Sequence, residues 1–347
     1  MDAGSSSAES KIALSVCIPT YNFGAFIGET LDSIVSQLSD RVEIVIVDGA
    51  STDNTSEVVG RYEKQYPRVK YHRLPAKGGI DRDMAKAVEL ARGTYCWLFS
   101  SDDVMKQGAL EQVLALIASG SDLYLCTHTV CTLDMKYVGD YPVLATTEES
   151  TFDLRSGAGR GRYFELAETT EAFFSFMSGL IVNKSRWDAV PMNDSFVGSC
   201  WAHVARLCEL MQMPRGLSVT FVPRTLLDRR GDNDSFSGNG IVRRHALAID
   251  GYHKLADTFF GSDSPEAFHF RRVVRNEYGF RALLDTRMRC EQNLDSESIA
   301  LLDQLVCKAY RDTPLKRLLI RGAFRVIPAR LYLRLQNYYR GLRYRSA

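Results

Sequence analysis

Residues 14–22 (LSVCIPTYN), 43–55 (EIVIVDGASTDNT) and 95–103 (YCWLFSSDD) each carry an unbroken apolar run into a polar end, and they decide the fold. Runs of this length, rich in Val and Ile, read as strands buried on both faces, as a parallel sheet requires. Between the first two, Ile27, Leu31, Ile34, Val35 and Leu38 recur at helical spacing. Strand, helix, strand in that order predicts a right-handed parallel unit. The alternation continues. A helix is expected over 54–66 (Val58, Val59, Tyr62, Tyr66), a short strand over 69–74, a helix over 81–92 and a strand over 94–99. A helix bearing Leu110, Val113, Leu114 and Ile117 and a strand over 122–126 follow. Ligands of open α/β sheets sit outside the carboxyl ends of the strands, and Tyr21, Asp48 and Asp102 are all predicted at that edge.

Composition sets the bounds. A chain of 347 residues with 45% apolar content buries a large core and has room for an α/β domain and a smaller one. The first ten residues, MDAGSSSAES, have neither a basic n-region nor an apolar h-region and read as a solvated tail, so the chain is expected in the cytoplasm. Eight cysteines (17, 96, 126, 131, 200, 208, 290, 307) form no CxxC pair and suit reduced core thiols. The longest near-continuous apolar stretch, FFSFMSGLIV, is too short to span a bilayer, which takes about 20 residues. From about 131 to 170 the pattern breaks into a polar, Gly-rich loop (RSGAGRGR), the expected entry to an acceptor region. Residues 241–347 read as almost wholly helical. The expected divisions are a tail (1–10), a nucleotide-sugar-binding half (11–130), an acceptor half (131–235) and a helical C-terminal region (236–347).

The three strand-end segments resemble the nucleotide-sugar-binding half of family 2 glycosyltransferases of the GT-A type, well over 12–120, thinly to about 235 and weakly beyond. The resemblance implies a GT-A-like, Rossmann-like, mostly parallel sheet flanked by helices, with a helical C-terminal extension. It implies an inverting sugar transfer from a nucleoside-diphosphate sugar, and, by likeness to enzymes of bacterial surface polysaccharide (O-antigen) synthesis, a lipid-linked oligosaccharide acceptor. In this family a P-T-Y-N-like turn holds the nucleotide base, here Pro19, Thr20, Tyr21 and Asn22; Tyr21 offers a flat face for stacking. Asp48 opens a stretch close to the family's D-G-S-T-D-x-T and is implied to bind base or ribose, while Asp53 suits a helix cap better.

Gly78 and Gly79 precede a helix whose free amides suit phosphate. Asp81, Arg82 and Asp83 replace the small residues common there in the family, either to contact sugar-donor hydroxyls or to favour the first helical turn. Ser100, Ser101, Asp102 and Asp103 stand where the family has its D-x-D motif; Ser100 replaces the first acid, and Asp102 with Asp103 is expected to bind Mg²⁺ or Mn²⁺. The family's acidic general base has no counterpart at Gly198–His203. His203 is the first candidate base and Asp194 the second, with a packed histidine as the plain alternative. Arg229 and Arg230, in a stretch that is otherwise a surface linker, could supply charge to the diphosphate.

Residues 313–347 carry nine Lys or Arg and no acid, although the whole chain is only +1. Leu315, Leu318, Leu319 and Val326 can share a helical face, and Leu331, Leu335, Tyr338, Tyr339 and Leu342 repeat the pattern beyond Pro328. A basic amphipathic end of this kind predicts peripheral attachment to the anionic inner face of the cell membrane, and no nucleic acid partner. Two other readings stand beside this one: a polyprenyl-phosphate sugar transferase, and a non-catalytic nucleotide-binding or membrane-scaffold protein. A dehydrogenase fits poorly, because no GxGxxG follows the first strand.

Overall fold

Strand β1 (Leu14–Thr20) is buried at every position, as is β2 (Val42–Asp48), which is why both are largely apolar; the buried Ser15 and Glu43 satisfy each other, Ser15 Oγ donating to Glu43 Oε1 at 2.7 Å. They are joined through α1 (Ile27–Val35), whose Ile27, Leu31 and Ile34 face inward. The computed structural model describes residues 11–155, 157–233, 240–332 and 334. Parallel register sets Thr20 opposite Asp48, so the two strands end side by side. Helix α2 (Thr55–Gln65), β3 (Val69–Arg73), α3 (Ile80–Leu90) and β4 (Tyr95–Leu98) follow. Strand β3 lies outside β2, whereas β4 crosses back to the other side of β1 with Leu98 opposite Cys17. The order in which strands are added reverses at β1, the switch point at which ligands of such sheets bind.

Next come β5 (Val104–Met105), α4 (Ala109–Leu116), β6 (Leu123–Cys131), β7 (Tyr137–Asp140), β8 (Ser150–Asp153), α5 (Gly157–Leu166), β9 (Leu180–Asn183), α6 (Lys184–Asp188), α7 (Ala202–Gln212) and β10 (Ser218–Arg230). The sheet order is β3-β2-β1-β4-β9-β6-β10-β5, with β7 on β6 and β8 on β10. Strand β9, from the end of the FFSFMSGLIV run, is antiparallel to both β4 and β6, so the sheet is parallel at its first four strands and mixed beyond. Trp97 anchors the centre: its indole N–H donates to Ser178 O at 2.8 Å, and its ring meets Phe99 edge-on at 5.5 Å.

The stretch expected as loop between 131 and 170 holds β7, β8 and α5 instead. Glycine opposes helix by about 1 kcal/mol per residue, yet α5 buries Tyr163 and Phe164 fully, and Arg160 Nε donates to Leu154 O at 3.0 Å across its start. Burial of two aromatic rings outweighs the glycines.

The chain divides into two compact units. One runs to Leu166 and resumes over Glu171–Asn233; it contains the whole sheet. The other takes Ala167–Thr170 and the helices α8 (Ile241–Phe260), α9 (Pro265–Glu277), α10 (Phe280–Gln292), α11 (Ser296–Ala309) and α12 (Pro314–Val326). Within it Ser264 caps α9 by accepting from Ala267 N, with Pro265 in the first turn, and Arg271 grips Asp312 through Nε at 2.8 Å and NH2 at 3.0 Å. Helix α12 buries Ile320 and Phe324 but leaves Leu315, Leu318 and Leu319 about seven-tenths exposed (77%, 69% and 72%). No helix of the described residues is long and apolar enough to cross a membrane. The expected continuation of the basic pattern from 335 onward lies outside the described residues.

Candidate active site

The loops after β1 and β2 are laced together by their polar side chains. Asn22, at a positive φ of 59°, accepts from Thr52 N at 2.7 Å; its own N–H donates to Ser51 Oγ at 2.9 Å. Asp53 receives Gly24 N and Thr55 N, each at 3.0 Å, and Thr55 Oγ1 at 2.5 Å. Asn22 and Asp53 are therefore committed to loop geometry; the N-cap of α2 is Asn54, which makes no side-chain cap bond, and Asp53, one residue earlier, bonds Thr55 at the helix start. Tyr21 is half-buried, and Lys77 Nζ stands 3.9 Å from its ring centroid, so the face expected to stack on a base already attracts a cation. Pro19 and Thr20 are buried in β1, and Thr20 Oγ1 has no hydrogen-bond partner.

Asp48 is fully buried at the end of β2. Its Oδ1 accepts from Ser51 N at 2.7 Å, its Oδ2 from Tyr71 Oη at 2.5 Å, and Arg73 Nε lies 3.8 Å from Oδ2. Tyr71 reaches it because β3 pairs with β2. Burial, with the Asp48 carboxylate, drives the Tyr71 hydroxyl well above its ordinary range, so Tyr71 remains a donor.

Asp83, on the first turn of α3, extends to the same place. A methyl group at Gly49 would stand 2.5 Å from its Oδ2, and one at Gly78 would stand 2.5 Å from its Oδ1. Burial, then the Asp48 charge, raises its pKa to about 6, with Lys77 opposing. Gly79, at φ 84°, adopts a backbone that favours glycine and precedes α3, while Arg82 is exposed beside it.

Beyond β4, Ser101 is buried in the turn, and Ser100 Oγ donates to Asp102 Oδ1. Asn233 Nδ2 donates to Asp102 Oδ2 at 2.9 Å. Asp103 points into protein: its Oδ2 accepts from Ser178 Oγ at 2.6 Å and its Oδ1 from Arg230 N at 3.1 Å. Burial raises the pKa of both acids, Asp103 to about 7 with the Asp102 charge adding to it. Arg230 is equally engaged, donating to Asp102 O at 2.9 Å, to Leu133 O and to Glu29, with its guanidinium 5.1 Å from the Phe26 ring. Arg229 is half-exposed, 3.7 Å from Glu171 and above the rings of Phe176 and Tyr141.

Among the described residues no trio of His, Cys, Asp or Glu gathers to hold a metal. Asp102 nonetheless fits one: its partners Ser100 and Asn233 are neutral, and a hard cation that keeps water and phosphate ligands needs only one or two protein carboxylates. Asp103, 2% exposed against 8% for Asp102, is the more enclosed of the two and holds the turn through Ser178 and the Arg230 amide.

Asp81 joins two parts of the unit. Its Oδ2 accepts from Gly198 N at 2.8 Å and Cys200 N at 3.1 Å, and its Oδ1 from Ala202 N at 3.2 Å. A carboxylate thus meets the positive end of α7. His203, in the first turn of α7, bonds Phe174 O through Nε2 at 3.0 Å. Burial lowers its pKa while the Asp81 charge and the Phe174 and Ser175 carbonyls oppose this. Asp194 is exposed in a short 3₁₀ turn, Asp194–Phe196.

Tyr71, Asn233 and Glu171 escaped the sequence reading. Tyr71 had a signal: position 46 on β2 faces 71 on β3 once the parallel pairing is drawn, two residues from Asp48. Asn233 and Glu171 had none, for their roles depend on how distant segments meet.

A family model described as glycosyl transferase family 2 matches residues 15–145. The abequosyltransferase RfbV of Salmonella typhimurium is 32% identical over 268 residues, covering 76% of this chain and 80% of that protein. The poly(ribitol-phosphate) beta-glucosyltransferase of Bacillus spizizenii is 35% identical over 100 residues, 28% of this chain and 16% of its own. Among solved structures, S. aureus TarS 1–349 in complex with UDP-GlcNAc has a TM-score of 0.59 at 18% identity, covering 95% of this chain and 92% of that one. That likeness speaks for the fold.

Proposed function

The chain belongs to glycosyl transferase family 2 and is a nucleotide-sugar-dependent glycosyltransferase, and we propose that it extends a lipid-linked oligosaccharide during surface-polysaccharide synthesis. The observation that carries the reading is the strand-end edge itself: β2, β1 and β4, adjacent and parallel, end at Asp48, Tyr21 and the Asp102 turn. Likeness to RfbV over most of both chains supports a sugar as the group transferred.

In this reading Tyr21 and Asp48 seat the nucleotide, and the N-terminus of α3 at Gly79 faces the diphosphate. A divalent cation held by Asp102 would neutralise the leaving diphosphate. The acceptor oxygen bonds to the anomeric carbon from the face opposite the departing group, which inverts the configuration. His203 takes the hydroxyl proton. Arg229, rather than the fully engaged Arg230, is left to answer charge near the crevice. The exposed leucines and basic residues of α12 rest on the inner membrane face, where the acceptor's lipid lies.

The test is mass spectrometry of a purified lipid-linked oligosaccharide fraction incubated with the protein and a panel of nucleotide sugars. Gain of one sugar residue with wild type, and none with Asp102→Ala, is expected; no mass gain with any sugar donor would favour the non-catalytic reading.

A further inference from the structure

The segment Gly198–His203 carries no acid of its own, and the fold brings one to it from α3. Gly198 and Cys200 both take left-handed backbone, at φ 82° and 69°, a conformation that the Cys200 side chain disfavours. Left-handed residues at alternate positions turn the amides of 198, 200 and 202 to one side, a concavity of main-chain N–H groups suited to an anion. The buried Asp81 carboxylate fills it. The amides between go elsewhere, Ser199 N to Phe196 O and Trp201 N to Ser199 Oγ, each at 3.1 Å. An N-cap side chain ordinarily accepts from one such amide. Here a loop is shaped around an acid from another helix, and the residue after the third amide is His203.

Resting on the assignment of His203 as base, we propose that Asp81 is a positioning residue for proton transfer: its carboxylate fixes the start of α7 and stabilises the imidazolium that His203 becomes. A carbonyl oxygen only accepts, so the bond to Phe174 O puts the ring proton on Nε2 and leaves Nδ1 to take another. As the acceptor oxygen bonds to the anomeric carbon and the bond to the diphosphate breaks, the hydroxyl proton passes to Nδ1, and Asp81 stays ionised throughout. The positive end of a helix opposes the cation so formed, and Asp81 offsets it. Burial depresses the pKa of His203, and the Asp81 charge works against that. Among the described residues, the other charges on the elements packed against α7 are engaged or exposed. Arg206, one turn on, lies 4.6 Å from the Trp187 ring with Asp188 and Glu209 about it; on α6 Lys184 pairs with Asp188 and Arg186 with Asp122. On α3 Arg82 is exposed and Asp83 lies beside Gly49 and Gly78; Glu171 is 3.7 Å from Arg229, and Asp194 is exposed.

Side-chain NMR titration of the histidine-labelled chain tests this, with His203, one of six histidines, identified by its loss in His203→Gln. Asp81→Asn should lower the His203 midpoint by about half a pH unit or more. The acidic limb of kcat/KM for transfer from the nucleotide-sugar panel should move the same way, with kcat down about tenfold and KM for the sugar donor within about twofold of wild type. Asp81→Ser, in which water can reach the three amides, carries the same expectation, so the test stands if one variant fails to fold. A purely structural role would lower the folded fraction without moving the midpoint. An unmoved His203 midpoint in either folded variant would therefore overturn the proposal and leave the transferase reading intact. An acidic limb that survives His203→Gln would also overturn it, by moving the base to another group. Absence of transfer by wild type with every sugar donor would remove the transferase reading and this inference together.

Discussion

Asp81 Oδ2 accepts the Gly198 amide at 2.8 Å, joining the first turn of α3 to the approach of α7 across 117 residues of sequence. The same carboxylate takes the Cys200 and Ala202 amides, so one acid satisfies three donors at a helix start. Asp81→Ala is expected to cost about 2–3 kcal/mol in urea unfolding, because charge-assisted bonds are lost and amides are left unpaired. An unchanged midpoint would mean that water serves those amides equally well.

Asp83 makes stability depend on pH. Its folded pKa, about 6, exceeds the ordinary value of 3.8, so the folded chain holds this proton more tightly than the unfolded one. Its contribution is then full below about pH 3.8 and is lost as pH rises through about 6. Asp83→Asn, uncharged throughout, should be more stable than wild type by roughly 1–3 kcal/mol at pH 7.5, with the gap closing below about pH 4. A gap that stayed constant from pH 4 to 8 would show that the acid is not desolvated.

Arg230→Lys separates structure from phosphate binding. The guanidinium bonds Asp102 O, Leu133 O and Glu29 at once, which an ammonium on a longer stem cannot reproduce. Loss of about 2–3 kcal/mol is expected by chemical denaturation. Unchanged stability with weakened nucleotide binding would instead place Arg230 on the diphosphate.

The first strands, their helices and the strand-end acids were legible because a parallel sheet buried on both faces writes itself as apolar runs, each ending where the chain turns to solvent. Asp48 and Asp102 stand at such ends. What single strands could not convey was the direction of polar side chains. Asp103 turns inward to Ser178, and Asp81 to a helix start 117 residues away. Likewise α5 was hidden because glycines dominate its first turn, while the Tyr163 and Phe164 burial that stabilises it is a tertiary matter.

Leu318→Asp with Leu319→Asp should cost no more than about 1 kcal/mol of stability, the helix-propensity loss of two residues, since both side chains are exposed. Sedimentation with vesicles containing anionic lipid should fall sharply for this variant and with rising salt. Undiminished vesicle binding would remove α12 from the membrane contact.

The most direct measurement is calorimetric titration of nucleoside diphosphates into wild type and Asp48→Ala, with Mn²⁺ and with chelator. Binding by wild type that needs the metal, and a drop of more than about tenfold on removing Asp48, is the predicted result; nucleotide affinity indifferent to both Asp48 and the metal would contradict the assignment of the strand-end edge as the sugar-donor site.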